Sequence, residues 1–199
     1  MTKSKPFIRR LTLASTSPFR KKLLEEAGVL FDVEAAEGDE KSIAGLPPPV
    51  LAAKRAEFKA LDVARRVEPG RVVIGADQVL SLNGISFDKA ESPEEAFARL
   101  RDFQGKTHYL HSAICLVDVH HSGSLETVFE TVVDIPMTMR PLSDDEIKAY
   151  VATNEWQGCV GCYRIEGEGQ NLFSDIGGDR SAIIGLPIKE LQKALAAHQ

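Results

Sequence analysis

Cysteine is scarce. The 199 residues contain three, too few and odd in number for the disulfide framework of a small secreted domain. Long apolar runs are missing as well. The stretch after Arg9 and Arg10 is interrupted by Thr12, Ser15, Thr16 and Ser17, so it reads neither as a signal-peptide core nor as a membrane span. The expectation is a reduced, cytoplasmic protein with no membrane partner. Positive charge is not in excess: 24 Lys and Arg face 29 Asp and Glu, for a net charge of −5. That balance argues against nucleic acid as a partner, because non-specific binding to a phosphate backbone needs a basic face. Repeats and low-complexity tracts are lacking too. The patterns G-x-x-x-x-G-K-[ST], G-x-G-x-x-G after a strand, G-x-S-x-G and H-E-x-x-H do not occur, which removes support for P-loop, Rossmann, α/β-hydrolase and zincin chemistry. With 43% hydrophobic and 27% charged residues, the chain has an ordinary globular composition and can fold without disulfide staples.

Periodicity and capping signals predict alternating strands and helices. Leu11 to Ala14 reads as a short buried strand, followed by Ser17 as N-cap, Pro18 at the first helical position and Gly28 as the stop. Phe31 to Ala35 is a second candidate strand, and a longer helix is expected from about Val50 to Val67. The β-branched run Val72-Val73-Ile74 predicts a strand covered on both faces and ending in Gly75-Ala76-Asp77. Ser92 to Glu95 and Ser143 to Glu146 both read as capping boxes opening helices. Residues 107–118 and 126–137 predict an antiparallel hairpin through His120 to Ser124, and a last helix begins near Pro187. Crossover-linked and hairpin-linked strands together imply an α/β protein with a mixed sheet.

Three places carry residues suited to chemistry. LASTSPFRKKLL joins a strand to a helix start, where unpaired backbone N–H groups, the helix dipole, the Ser15 and Ser17 hydroxyls and the Arg20 guanidinium suit a phosphate; an ordinary capped helix with a solvated basic face has the same pattern. Asp77 follows an apolar strand, where an acid can hold a metal or a water, or simply cap a turn. Lys89 lies shortly downstream. Cys159 and Cys162 have C-x-x-C spacing and His108 and His111 are three apart, but residues three apart on a strand face opposite sides. Small buried residues explain these positions better than metal or redox chemistry does.

Taken in order, LASTSPFRKKLL, the LAAKRA helix, IGADQVLSLNG, DKAESPEEAFARLRDFQGKTH, GCVGCYRIEGEG and IIGLPIKEL resemble the Maf family of nucleoside triphosphate pyrophosphatases. The resemblance implies an α/β fold with an elongated mixed β-sheet, flanked by helices around a central substrate cleft (Maf/ITPase-like). It implies one domain over residues 1–199 with two lobes around that cleft, and family members often pair as homodimers. It further implies divalent-metal-dependent cleavage, with Mg or Mn as cofactor, between the α- and β-phosphates of a nucleotide. By motif match Asp77 takes the catalytic position, Glu40 sits near the family's acidic residue, and Lys89 matches a family lysine. Asp77 and Glu40 are the expected metal ligands. Arg55 stands where the family helix, L-A-x-x-K-A, carries a lysine; Lys54 or Arg55, with Ser15, Ser17, Arg20 and Lys89, forms the expected substrate-binding set. Ala90 stands where proline is usual, and Tyr109 to Ala113 lacks the usual threonine-glycine.

Phe19, Gln78 and Glu166 occupy the positions that separate substrate subgroups. They resemble the subgroup acting on 7-methyl-GTP, and their chemistry agrees. An aromatic face attracts the cationic methylated base, and a carboxylate accepts from the N1–H and N2–H edge of guanine. The alternatives are a UTP/dTTP-type pyrophosphatase and a nucleotide-binding regulator of cell division with weak catalysis.

Overall fold

The computed structural model describes residues 9–198. Its seven strands are β1 (Arg10–Leu13), β2 (Phe31–Val33), β3 (Arg71–Leu82), β4 (Ile85–Phe87), β5 (Thr107–Val119), β6 (Leu125–Met139) and β7 (Phe173–Ile176). Its six α-helices are α1 (Pro18–Glu26), α2 (Pro48–Ala64), α3 (Pro93–Phe103), α4 (Asp144–Val151), α5 (Arg180–Ile184) and α6 (Ile188–Ala197). The strands form one sheet in the order β2-β1-β3-β5-β6-β7, with β4 hairpinned onto the end of β3. β1 runs parallel to β2 and β3, while the remaining pairings are antiparallel. The expected mixed α/β sheet is therefore present.

Most local signals work as expected. Ser17 caps α1 with Pro18 at its first position, and Gly28 follows that helix with φ +69°. Ser143 and Glu146 make the full reciprocal capping box of α4. At α3 only half of the expected box forms. Ser92 accepts from the Glu95 N–H, but the Glu95 carboxylate takes the Glu91 N–H instead of that of Ser92. The tandem prolines lie inside the first turn of α2, where a missing N–H leaves nothing unpaired, so the helix starts earlier than expected.

The largest departure is β3. The strand does not end at Asp77 but continues to Leu82, pairing with β5 from Arg71↔Val119 to Ser81↔Tyr109. Gly75 is a packing site and not a turn: a Cβ there would lie 2.1 Å from the Ala56 carbonyl oxygen and 2.8 Å from the Ala60 Cβ. Helix α2 rests on this bare stretch of β3 through Ala52, Ala56 and Ala60, all fully buried. The close approach fixes which helix positions flank the middle of the strand, and Arg55 and Lys59 are among them.

Three apolar clusters surround the sheet. α2 covers one face around Val73, Val79 and Ala113, and α1 and α6 cover the other around Leu13, Ile74 and Leu116. A third, around Leu100, Phe103, Ile135 and Tyr163, is built with α3 and α4. His108 belongs to this third core: it stacks on Phe103 with centroids 4.7 Å apart, and its Nε2 lies 2.8 Å from the Tyr163 hydroxyl. His111 points to the opposite face, between Ser81 and Asp134.

Two outcomes follow. Gly75→Ala forces α2 off β3 and is expected to lower the unfolding free energy by about 1–3 kcal/mol in urea titrations. Burial pushes the His108 imidazole down to about 4, while the unfolded chain protonates it near its ordinary value, roughly 6.5. The unfolded state thus binds the extra proton, and stability falls as pH drops through that window. His108→Gln is expected to flatten this loss between roughly pH 6.5 and 5, the region above the ordinary carboxylate range. Thermal unfolding at stepped pH reads it.

Candidate active site

Where the three cores meet, a cleft of about 490 Å³ opens. Its wall takes Tyr163 and Ile183 from one core, Ile184 from the second and Val79 from the third. The α1 N-terminus contributes Ser17, Phe19 and Arg20, α2 contributes Arg55 and Lys59, and the middle of β3 contributes Asp77 and Gln78. Lys89 enters from the segment between β4 and α3, and Glu166 from the segment after α4.

Asp77 is the centre of this arrangement. Its residue is 7% exposed, held in the middle of the sheet opposite Ala113. Lys59 Nζ donates to its Oδ1 at 2.7 Å, while Oδ2 is buried with no hydrogen-bond partner. Lys59 also forms an ion pair with Glu40. Glu40 is presented by a 3-10 turn, Glu40–Ser42, that Asp39 caps by accepting the Lys41 N–H. Two carboxylates from distant stretches therefore converge on one ammonium.

The phosphate-type turn holds its shape through its own side chains. Arg20 Nε donates to the Gly185 carbonyl at 2.9 Å and Nη1 to Ser15 Oγ at 3.2 Å. Ser15 thus orients Arg20, and Ser17 serves as the helix cap while lining the cleft. Burial lowers the Arg20 guanidinium from its ordinary value, and the charges of Asp77 and Glu40 oppose that fall. The group stays charged, since it starts far above neutrality. Arg55 lines the cleft with Nη2 donating to the Ile43 carbonyl and Nε buried without a partner.

Lys54 does not join them. It turns outward to Glu57 at 2.7 Å, and its side chain is about half exposed. One residue is roughly 100° on a helix, and on α2 that step carries Lys54 away from the cleft that Arg55 faces. Of the two cations expected to meet the phosphates from this helix, Arg55, at the family's lysine position, is the one in the cleft.

The subgroup residues Phe19, Gln78 and Glu166 all line the cleft. Gln78 is partly committed, because its Nε2 donates to the carbonyls of Ala182 and Ile183 at 3.0 and 2.9 Å. The ring of Phe19 already carries a cation: the Arg164 guanidinium lies 5.0 Å from its centroid. Cys159 and Cys162 are free thiols, pushed up by burial, and no three His, Cys, Asp or Glu residues cluster as a metal site among the described residues.

Lys59 and Arg164 are the site residues that motif reading missed. Lys59 had one signal, its position four residues after Arg55 and hence on the same helix face. Arg164 had none.

The fold and cleft define an α/β protein with an acidic centre ringed by cations, suited to a polyanion. The chain belongs to the Maf family: the sequence model of that family, described as Maf-like protein, matches residues 10–198. It is 44% identical over 187 residues to a nucleoside triphosphate pyrophosphatase of Rhodopseudomonas palustris (strain HaA2), covering 91% of this chain and 90% of the relative. It is 40% identical over 190 residues to a 7-methyl-GTP pyrophosphatase of Rhizobium etli, covering 92% of each. A protein of the same name from Bartonella quintana is 42% identical over 187 residues, covering 91% of each.

Arg20→Ala is expected to weaken binding of a nucleoside triphosphate by about tenfold or more, the scale of a lost charge-assisted contact. Lys54→Ala should leave it within about twofold, as befits an exposed charge outside the cleft. Isothermal calorimetry on both variants checks the contrast.

Proposed function

We propose that the protein is a hydrolase, a nucleoside triphosphate pyrophosphatase that cleaves between the α- and β-phosphates to release a nucleoside monophosphate and pyrophosphate. The observation that carries this reading is Asp77, a buried carboxylate with a free Oδ2, sharing one cleft with Arg20, Arg55 and Lys89. The family membership and the names of relatives at 40–44% identity support it.

A divalent cation, Mg or Mn, suits the oxygen donors of Asp77 and Glu40. Two carboxylates are a sparse set, and magnesium habitually completes such a set with substrate phosphates and water. When bound, the ion supplies Lewis-acid polarisation of the phosphate and a lowered pKa for water. The chain's own groups do the remainder. Arg20, Arg55 and Lys89 neutralise the polyphosphate and stabilise charge gathering on the departing pyrophosphate. Ser15 and Gly185 hold the Arg20 fork in place, and the free Oδ2 of Asp77 is the acceptor available to an attacking water.

For the base, 7-methylguanine is the proposed choice. Glu166 is the acceptor for the guanine edge, and the names of the Rhizobium and Bartonella relatives agree. The Arg164 guanidinium on the half-buried Phe19 ring must shift if a cationic base is to use that ring; such a contact contributes about 0.5–2 kcal/mol, less than a bound nucleotide supplies. A cytoplasmic setting agrees with the three free cysteines, and no helix among the described residues is long and apolar enough to cross a membrane.

Asp77→Asn is expected to lower pyrophosphate release by about a hundredfold or more while nucleotide binding persists; near-normal turnover contradicts the assignment. In a panel of 7-methyl-GTP, GTP, UTP and dTTP with metal, 7-methyl-GTP should give the highest kcat/KM. Preference for UTP or dTTP would overturn the proposal for the base.

A further inference from the structure

Lys59 belongs to none of the motifs, yet it makes the closest contact to the centre of the cleft. Its side chain is 13% exposed, against 10% for the Asp77 side chain and 40% for that of Glu40. The ammonium touches both carboxylates, at 2.7 Å from Asp77 and in an ion pair with Glu40. An ammonium is a compact point charge of roughly the kind a hard cation would replace. It occupies the place between the two carboxylates where a divalent cation would draw its protein ligands.

We propose that Lys59 is the resident counter-cation of the Glu40–Asp77 pair, so that a divalent ion binds the free protein poorly and enters together with the nucleotide. This rests on the two-carboxylate metal site of the preceding section. The physical reason is charge balance. Two carboxylates and one ammonium sum to −1, and Arg20 acts on the same pair. A dication brought alone into that nearly neutral group meets the Lys59 ammonium in contact with both carboxylates, beside a buried Asp77 where repulsion is poorly screened, and Arg20 adds to it. A triphosphate changes the sum. Its oxygens give the displaced ammonium a new partner and supply the metal with the ligands that the protein lacks. Lys59 thereby acts through Asp77 and Glu40 as a positioning residue. It pairs both carboxylates, which matters most for Asp77, where a buried unpaired charge is costly, and it couples metal entry to substrate entry.

The test is Mn²⁺ binding to the nucleotide-free protein, followed by the loss of the free-ion signal in electron paramagnetic resonance. Lys59→Met and Lys59→Gln remove the competing charge, and Gln can still donate to Asp77 if Met compromises folding. Either is expected to bind Mn²⁺ about tenfold more tightly than the wild type, whereas Lys59→Arg, which keeps the cation, should stay near the wild-type affinity. Adding Asp77→Asn to the tightened variant should abolish the gain. Unchanged or weaker Mn²⁺ binding by the folded neutral variants overturns the inference, and so does equal tightening by Lys59→Arg. Hydrolysis is not the readout. Tightened binding in a protein that releases no pyrophosphate would uphold the role of Lys59 and sink the proposed activity, and the reverse pair of results would do the opposite.

Discussion

A carboxylate fixed in the middle of a β-sheet has neither the solvent nor the freedom of a loop residue, and an isolated buried charge costs several kcal/mol or more. Asp77 is in that position, opposite Ala113 with one oxygen unpartnered. Much of the cleft is arranged around this group. α2 can bring Lys59 to it because Gly75 and three alanines let the helix lie almost on the backbone of β3. α1 can bring Arg20 because its N-terminus opens beside the same strand, where Ser15 and the Gly185 carbonyl hold the guanidinium. A side chain on Gly75 would disturb packing and charge geometry together, so the stability of the fold and the shape of the site depend on the same close approach.

The sequence and the structure agree where a signal is local. Ser17-Pro18 and Ser143 to Glu146 announce their helices because a cap is a contact between near neighbours. The hairpin of β5 and β6 is legible for the same reason, and so is the divergence of His108 and His111, which follows from the alternation of a strand. β3 was not legible past Asp77, since Gly-Ala-Asp after an apolar run has the composition of a turn. Its glycine answers to a helix from elsewhere in the chain. Asn83-Gly84, both at positive φ between Leu82 and Ile85, is a two-residue hairpin signal that marks the true end of the strand and the start of β4.

Within the site, motif matching picked out Asp77, Arg20, Lys89 and the turn around Ser17, which share one cleft, and left the contact to the phosphates open between Lys54 and Arg55. That choice is rotational. Adjacent helix residues point about 100° apart, and only the packing of α2 decides which faces inward. Lys59 lies outside the motifs and Arg164 inside one without an assigned role, because each is defined by a partner distant in sequence, Asp77 for one and Phe19 for the other. Arg164, stacked on Phe19, and Glu166 line the same cleft with opposite charges, so that wall is not a plain aromatic shelf.

The most direct measurement is a crystal structure with a nucleotide whose α–β bridging oxygen is replaced by an imido group, so that it binds and is not cleaved. The triphosphate is expected in the cleft with its α-phosphate beside Asp77, the outer phosphates on Arg20, Arg55 and Lys89, and Lys59 turned away from at least one carboxylate. A nucleotide bound elsewhere, or bound with its α-phosphate out of reach of Asp77, would contradict this placement.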